Sequence, residues 1–235
     1  MVNVGDSFAA IKKLIFEEKK YTMAQLGEAL DANWEGHEAM RQDFLNAPKY
    51  GNNDPYVDEL VADCYAELVE AAASCLSIYD APNRVSAISI TSHQPGGAMT
   101  GATPDGRKAG EILADGSMSP IHGCDVCGPL AVLNSAMRID QDSYQATLLN
   151  MKFDPTALST EEDCGKLASM IRVYLTNGGK HIQFNVVNNE LLREARDHPE
   201  QHRDLIVRIA GFSTYFVQLS KVMQNEVIDR NTQKL

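Results

Sequence analysis

The 235-residue sequence predicts an α/β fold. Residues 1–80 carry helical patterns only, whereas the second half alternates strand-like and helical segments. Alternation of this kind favours a parallel sheet with helices packed against it. The length suffices for one large domain or two small ones with a substantial hydrophobic core.

The first two helices are predicted from signals at their N-termini. Asp6 and Ser7 precede "FAAIKKLIFEE" and are expected to cap its first turn. Thr22 and Gln25 have the spacing of a capping box at the start of "MAQLGEALDANW". Both signals place a helix boundary before an apolar, helically periodic run.

Two further helices complete the helical segment 1–80. "HEAMRQDFLNA" is expected to end before Pro48, and the turn-rich "KYGNNDP" follows it. A long amphipathic helix then runs from about Tyr56 to Ser77, because its apolar residues recur at every third or fourth position.

Strand patterns begin in the second half. "RVSAISITS" at 84–92, "QATLLNMKF" and "KHIQFNVV" are each predicted to be strands. A helix with a capping box from Ser159 to Glu162 lies between the last two, and "NNELLREARD" forms a short helix before Pro199.

A segment punctuated by glycine and proline, residues 93–129, separates the first two strands. Long segments without regular structure are often functional. Cys124 and Cys127 form a C-x-x-C pair beside His122, which leaves half a zinc site or a redox pair open as interpretations. Because no second C-x-x-C exists and the pair does not open a helix after a strand, the sequence predicts no metal site.

Charge and composition exclude several function classes. The formal net charge of −11 argues against binding to nucleic acid or to an anionic membrane. No apolar stretch approaches the roughly eighteen residues that span a bilayer, and the N-terminus lacks the features of a signal peptide. The five cysteines are scattered and odd in number, unlike a secreted disulfide framework. A cytoplasmic location is therefore predicted.

The C-terminal stretch "RIAGFSTYFV" contains a single glycine, Gly211, in a strand-like pattern. Glycine at such a position loosens the chain and permits another backbone or a ligand to approach closely. On the pattern alone, a turn or bulge is favoured. The residues leave a functional glycine open as the second interpretation.

This stretch closely resembles the glycyl-radical signature, in which Arg, two residues, Gly, an aromatic residue and a later Phe precede a C-terminal helix. "TGATPDGRKAGEILADGSMSP", "GPLAVLNSAMRID" and "GGKHIQFNVV" resemble the segments before that signature in the same enzymes. "LNAPKYGNNDPYVDELV" and "SFAAIKKLIFEEKKYTMAQL" resemble still earlier segments, in collinear order from about residue 3 to residue 230. The chain thus resembles the C-terminal part of a glycyl radical enzyme of the pyruvate formate-lyase and diol-dehydratase superfamily. Its sequence resembles the dehydratase, decarboxylase and C–S or C–N lyase branches more closely than it resembles pyruvate formate-lyase itself.

The resemblance implies a fold and a division of the chain. The fold is the C-terminal part of the family's α/β barrel, with a helical N-terminal segment and a C-terminal glycine-radical loop. Residues 1–80 are then the helical segment, residues 81–190 carry barrel strands and long loops, and residues 191–235 form the glycine radical domain.

The resemblance also implies chemistry at the signature. Gly211 would lose a hydrogen atom from its Cα to an iron–sulfur and S-adenosylmethionine activating enzyme, and would then store the radical. This chain would bind no cofactor itself. Arg208, Phe212, Tyr215 and Phe216 would support the loop around the radical.

The family also needs a cysteine that passes the radical to substrate, usually beside a glutamate in a "GCxE"-like loop far upstream of the glycine. None of the five cysteines lies in that context: Cys64, Cys75, Cys124, Cys127 and Cys164. The resemblance therefore implies that the radical passes to a cysteine outside this chain. A fragment of an enzyme is favoured. A subunit of a split enzyme, a radical-domain spare part and a catalytically dead, binding-only remnant stay open.

The resemblance also implies partners and candidate substrate contacts. The expected partners are the activating enzyme and the rest of the catalytic chain or a larger subunit, in a homo-oligomer. Substrate selection in the family depends largely on upstream residues. Within this chain, Arg84 and His93 at the ends of the strand predicted at 84–92 are the candidate substrate-binding residues.

Overall fold

The computed structural model describes residues 1–116, 118–209, 211–230 and 232–233. The remaining residues belong to the predicted long loop, the glycine signature and the C-terminal segment, and lie outside the described part: Ser117, Ala210, Asn231, Lys234 and Leu235. No helix in the described part is both long enough and apolar enough to cross a membrane.

The N-terminal part is helical, as predicted. The chain forms helices α1 (Val2–Ile11), α2 (Met23–Asp31), α3 (Glu38–Asn46) and α4 (Pro55–Ala73). A turn of π-helix continues α1 over Lys12–Glu17. Apolar faces of α1 and α4 pack together in the main core with later residues, among them Tyr144, Leu149 and Phe153.

The predicted capping of the first helix by Asp6 and Ser7 is wrong. The helix begins at Val2, so both residues lie inside it and are buried. The Asp6 carboxylate instead accepts a hydrogen bond from the Tyr50 amide at 2.9 Å. Tertiary packing uses this side chain for a distant backbone group, which local spacing cannot show.

The other helix boundaries agree more closely with the sequence. The capping box of α2 is confirmed, because the Gln25 amide donates to Thr22 Oγ1 at 3.2 Å and the Thr22 amide donates to Gln25 Oε1 at 2.9 Å. Helix α4 ends at Ala73 rather than Ser77. The chain turns there, with the Ser77 amide donating to the Ala81 carbonyl at 2.9 Å.

The strand predicted at 84–92 is wrong. Ser86 forms an isolated parallel bridge with Ala146, and this part of the chain has no named strand among the described residues. Ile90 has a φ of +53°, which no strand residue adopts. The chain turns and enters α5 (His93–Met99), so the loop predicted at 93–129 begins with a short helix.

A parallel sheet forms after that loop. Helix α6 (Pro129–Met137), which the sequence patterns did not predict, precedes strand β1 (Asn150–Phe153). Strand β1 is central and pairs in parallel with β2 (Gln183–Val186) and β5 (Thr232–Gln233). The strands are shorter than predicted, but the α/β class is confirmed.

Helices connect these strands. Helix α7 (Glu161–Thr176) joins β1 to β2, and α8 (Asn189–Asp197) follows β2 and ends before Pro199, as predicted. The cap of α7 is displaced by one residue from the predicted Ser159–Glu162 box: Thr160 Oγ1 accepts from the Asp163 amide at 3.1 Å.

The C-terminal part forms a second core. An antiparallel hairpin of β3 (Ile206–Arg208) and β4 (Ser213–Tyr215) is followed by α9 (Lys221–Asp229). Buried apolar residues of α8, the hairpin, the 3-10 turn that follows it and α9 pack together: Leu192, Ala195, Val207, Ile209, Phe216, Met223, Val227 and Ile228. The domain boundaries at residues 80 and 190 stay predictions.

Candidate functional site

Gly211 lies in the turn between β3 and β4. The Ile209 amide donates to the Phe212 carbonyl at 3.0 Å and closes this turn. Gly211 has a φ of +84°, in the left-handed region that side chains disfavour. Among the described residues, a Cβ placed there would meet only Leu148 Cδ1, at 4.0 Å. Backbone conformation, rather than crowding, therefore requires glycine here.

The side chain of Gln183 in β2 holds this turn. The Gly211 amide donates to Gln183 Oε1 at 3.1 Å, and Arg208 Nε donates to the same oxygen at 3.1 Å. The Gln183 amide group in turn donates to the Ile209 carbonyl at 3.1 Å. One buried side chain thus bonds the backbone on both sides of the turn.

Asn185 holds the preceding strand in a similar way. Its Oδ1 accepts from the Arg208 amide at 2.7 Å, and its Nδ2 donates to the Arg208 carbonyl at 2.6 Å. Gln183 and Asn185 share one face of β2 because side chains alternate along a strand. In "HIQFNVV", the alternation of these polar residues with Phe184 indicates a strand with one polar face, but it does not show which residues that face would bond.

A chain of amides leads from Gln183 into the protein interior. Asn150 is paired with Gln183 in register across β1 and β2, and its Oδ1 accepts from Gln183 Nε2. Asn150 Nδ2 then donates to Asp115 Oδ2 at 2.8 Å. Gly211 is therefore connected through two side-chain amides to a buried carboxylate.

Asp115 belongs to a buried charged cluster with His122, Glu226 and Arg230. His122 Nε2 lies 3.1 Å from Asp115 Oδ1 and 3.2 Å from Glu226 Oε1. Arg230 Nη2 lies 3.1 Å from Asp115 Oδ2, and its Nε lies 2.8 Å from Glu226 Oε1. Two carboxylates thus meet two basic groups in a buried site.

The cluster strongly perturbs the ionisation of its members. Burial would lower the pKa of His122, but the adjacent Asp115 and Glu226 carboxylates raise that pKa to about 10. Burial would raise the pKa of Asp115, but Arg230 and His122 hold it well below its usual range. The cluster therefore carries two negative and two positive charges at neutral pH.

The same cluster has the geometry of a metal site. Ligand atoms of Asp115, His122 and Glu226 all lie within 4.8 Å of one another. The Arg230 guanidinium, however, pairs with both carboxylates. We assign the cluster as an ion-pair network because its charges are already balanced.

The other residues predicted for the loop occupy different environments. Arg208 Nη1 lies 3.3 Å from Ser213 Oγ, so this side chain connects β4 to Gln183. Phe216 is fully buried, whereas Phe212 and Tyr215 are 39% and 44% exposed. Ala210, within the signature, lies outside the described residues.

The two predicted substrate-binding residues differ in exposure. Arg84 is exposed, while His93 at the start of α5 is buried. Neither ring nitrogen of His93 has a hydrogen-bond partner among the described residues, and burial is the main cause that lowers its pKa. His93 borders an open cavity of about 630 Å³, together with Ser92 and Leu113. Arg84 does not line that cavity.

The cysteines are free thiols: Cys64, Cys75, Cys124, Cys127 and Cys164. Burial is the main cause that raises the pKa of Cys124, to about 12. Its thiolate is therefore disfavoured at neutral pH, which is unlike a nucleophilic or redox-active cysteine.

Comparisons with known proteins place these features in a family. The glycine radical family model matches residues 114–217, and the pyruvate formate lyase-like model matches residues 1–97. The chain belongs to the glycyl radical enzyme family. The glycine radical match ends just after the hairpin that carries Gly211, and it includes Asp115, His122 and Gln183.

Individual glycyl radical enzymes match nearly the whole chain. The isethionate sulfite-lyase of Nitratidesulfovibrio vulgaris is 46% identical over 230 residues, which is 97% of this chain and 28% of that protein. The indoleacetate decarboxylase of Tractidigestivibacter scatoligenes is 40% identical over 252 residues, which is 97% of this chain and 29% of that protein.

Solved structures agree with the fold. The glycerol-bound, B12-independent glycerol dehydratase from Clostridium butyricum superimposes with a TM-score of 0.96 at 37% identity, over 100% of this chain and 30% of that one. Hydroxyproline dehydratase from Clostridioides difficile gives a TM-score of 0.95 at 37% identity, with the same coverage. The chain thus spans less than a third of the length of these relatives and corresponds to their C-terminal portion.

Proposed function

We propose that this chain is the radical-storing portion of an oxygen-sensitive glycyl radical lyase, dehydratase or decarboxylase, with Gly211 as the radical residue. The supporting observation is the glycine in the hairpin turn, held by a buried side chain and covered by the glycine radical match. The reaction classes are those of the relatives, which are a sulfite-lyase, dehydratases and decarboxylases.

Glycine suits this role chemically. Loss of one hydrogen atom from its Cα leaves a centre that can flatten and delocalise between the flanking amide nitrogen and carbonyl. A side chain would hinder that planarity and would strain a backbone with a φ of +84°. Arg208, Phe212, Tyr215 and Phe216 are proposed to support the loop, with Phe216 buried beneath it.

The radical would be installed by a separate enzyme. We propose an iron–sulfur activating enzyme that uses S-adenosylmethionine, because Gly211 is the expected hydrogen donor and a cofactor system of this kind supplies radical chemistry. The radical would then pass to a cysteine outside this chain, in the rest of the catalytic chain or in a larger subunit. We place this assembly in the cytoplasm, as a homo-oligomer.

Arg84 and His93 are the proposed substrate contacts within this chain. Isethionate, indoleacetate and hydroxyproline, after which these relatives are named, are all anions or carry a carboxylate. An exposed guanidinium such as Arg84 suits an anionic group, and the unpartnered nitrogens of His93 suit a hydroxyl. Glycerol in the structural neighbour is neutral, so the substrate stays open.

Anaerobic activation tests the proposal. The chain is incubated with S-adenosylmethionine and a cognate activating enzyme, and the paramagnetic signal is recorded with natural and 2-¹³C-glycine label. A glycyl signal that broadens with the label and disappears in Gly211→Ala is expected. Gly178→Ala is the matched control, because Gly178 also has a left-handed φ, of +96°, and open space at its Cβ position. A signal that persists in Gly211→Ala would refute the assignment, and no signal with a competent activase would favour the binding-only remnant.

A further inference from the structure

We propose that Gln183 is a positioning residue for the Gly211 radical: its carbonyl oxygen accepts the Gly211 N–H hydrogen bond, which fixes the amide plane and increases the electron density on the amide nitrogen. This inference rests on the proposed radical role of Gly211. Its structural basis is the 3.1 Å hydrogen bond from the Gly211 amide to Gln183 Oε1.

Gln183 is itself held rigidly. It is buried on β2, its Nε2 donates to the Ile209 carbonyl at 3.1 Å and to Asn150 Oδ1, and its Oε1 also accepts from Arg208 Nε at 3.1 Å. With both ends of the amide bonded, the side chain cannot rotate without losing several hydrogen bonds. The direction of the Gly211 N–H bond is therefore fixed by the sheet rather than by the turn alone.

The hydrogen bonds all run in one direction. The Gly211 amide donates to Gln183, Gln183 donates to Asn150, and Asn150 donates to the Asp115 carboxylate at 2.8 Å. Hydrogen bonds in such a chain polarise one another, and the anionic end strengthens the chain. Donation from Gln183 to Asn150, and from Asn150 to Asp115, polarises the Gln183 amide toward its oxygen, whereas the Arg208 guanidinium on the same oxygen acts in the opposite sense.

This polarisation has a consequence for a radical at the Gly211 Cα. Such a radical is stabilised when the amide nitrogen donates electron density and the carbonyl withdraws it, provided that both groups lie in one plane. An acceptor on the N–H bond increases the density on nitrogen and resists rotation out of the plane. Gln183 supplies both effects, so its removal is expected to change the radical itself as well as the loop.

Asn185 provides the control for a purely structural role. It lies on the same face of β2 and makes two hydrogen bonds to the Arg208 backbone, but none to Gly211. Asn185→Met therefore loosens the hairpin while the acceptor on Gly211 remains. Gln183→Met removes that acceptor with little change in side-chain length.

The first experiment needs no radical. In the unactivated 235-residue chain labelled with ¹⁵N-glycine, the Gly211 amide is assigned by its disappearance in Gly211→Ala. We expect its proton resonance to move upfield in Gln183→Met and to stay within the wild-type range in Asn185→Met. An unchanged resonance in Gln183→Met would overturn the inference. This readout is independent of activation, whose failure in the wild type would refute only the proposed function.

The second experiment uses the activated chain. Electron–nuclear double resonance in H₂O and D₂O gives the coupling of the exchangeable Gly211 amide proton, and signal decay under anaerobic conditions gives the radical lifetime. Gln183→Met is expected to change this coupling and to shorten the lifetime several-fold, whereas Asn185→Met keeps the wild-type coupling. If Gln183→Met forms no radical, Gln183→Glu tests whether the lost acceptor is the cause. Its carboxylate restores the acceptor and should restore the signal. Wild-type coupling in Gln183→Met, or no radical in a folded Gln183→Glu, would overturn the inference.

Discussion

Asn150 and Gln183 lie opposite each other in register on the parallel strands β1 and β2, and their side-chain amides are hydrogen-bonded. This pair joins the sheet to the glycine hairpin on one side and to the Asp115 cluster on the other. Because β1 also pairs with β5, which follows α9, the sheet is bonded to two parts of the segment 206–233, namely the hairpin and β5. The position of Gly211 therefore depends on contacts between the sheet and that segment.

The buried cluster predicts a pH dependence of stability. The pKa of His122 is raised from 6.5 to about 10 in the folded chain, so its contribution is complete below about pH 6.5 and is lost as the pH rises through about 10. The titratable groups around His122 are the carboxylates of Asp115 and Glu226, the Arg230 guanidinium that pairs with both of them, and His93. We expect the difference in free energy of unfolding between wild type and His122→Gln to shrink over this range.

Urea unfolding from pH 6 to pH 10 measures that difference. His198→Gln, at an exposed position, serves as the control for removal of an imidazole. A His122→Gln difference that grows with pH would contradict the charged state assigned to His122. Below pH 5 both proteins should lose stability, because Asp115 and Glu226 have lowered pKa values and their contribution disappears when they are protonated.

Lys152 predicts a second stability effect. Its buried ammonium donates to the carbonyls of Val227 at 3.2 Å and Ile228 at 2.8 Å, at the C-terminal end of α9. Lys152→Met would keep the side-chain volume but leave these carbonyls without that donor, at a cost of about 1–3 kcal/mol. Thermal unfolding should show a clear loss. Lys166→Met, which removes exposed ion pairs, should change stability by less than about 1 kcal/mol, and equal effects would refute the role of Lys152.

Two glycines are predicted to respond with opposite signs to alanine. A Cβ on Gly5 in α1 would lie 2.3 Å from Val61 Cγ2 and 2.9 Å from Val61 Cα in α4, so Gly5→Ala must separate the two helices. We expect a loss of about 1–3 kcal/mol. Gly27 in α2 has open space at this position, and Gly27→Ala should gain up to about 1 kcal/mol from helix propensity. Chemical denaturation of both variants measures the sign of each change in the free energy of unfolding. A stabilising Gly5→Ala would contradict the close contact between α1 and α4.

Local signals in the sequence predicted the cap of α2 but not that of α1, where Asp6 and Ser7 lie inside the helix. The Thr22 and Gln25 capping box depends on residues three apart, and the structure contains it. The strand expected at 84–92 failed because a strand needs a neighbour along its length, and within the part of the chain that the structure describes this segment forms a single bridge, between Ser86 and Ala146. β-branched composition shows that a segment can pair, but it does not show that a partner strand runs beside it.

The candidate site was predicted only in part. Gly211 was identified through its resemblance to a signature, since the pattern of the residues alone favoured an ordinary turn. Gln183 was missed, because it is separated from Gly211 by 28 positions and contacts it through the tertiary fold. His122 was noted only beside Cys124, whereas its partners Asp115 and Glu226 are brought together by the packing of α9.

The isolated chain is predicted to have no lyase, dehydratase or decarboxylase turnover. The sequence contains no "GCxE"-like loop, so we expect the cysteine that receives the radical to lie outside this chain. Product formation by the activated chain on isethionate, hydroxyproline or glycerol is the measurement. Turnover by the chain alone would refute the prediction, and turnover only after a "GCxE"-containing partner is added would favour the split-enzyme interpretation.

Oxygen should cut the activated chain at residue 211. Gly211 is exposed in the turn, so molecular oxygen can reach a radical on its Cα, and addition there gives a peroxyl species whose decay breaks the backbone. Intact-mass analysis after anaerobic activation and then exposure to air should show two fragments that meet at Gly211. Gly211→Ala should show neither the signal nor the cut, while Gly178→Ala, with comparable left-handed strain, should show both. A glycyl signal followed by cleavage at another glycine would move the radical to that residue, because oxygen marks the carbon that holds the unpaired electron.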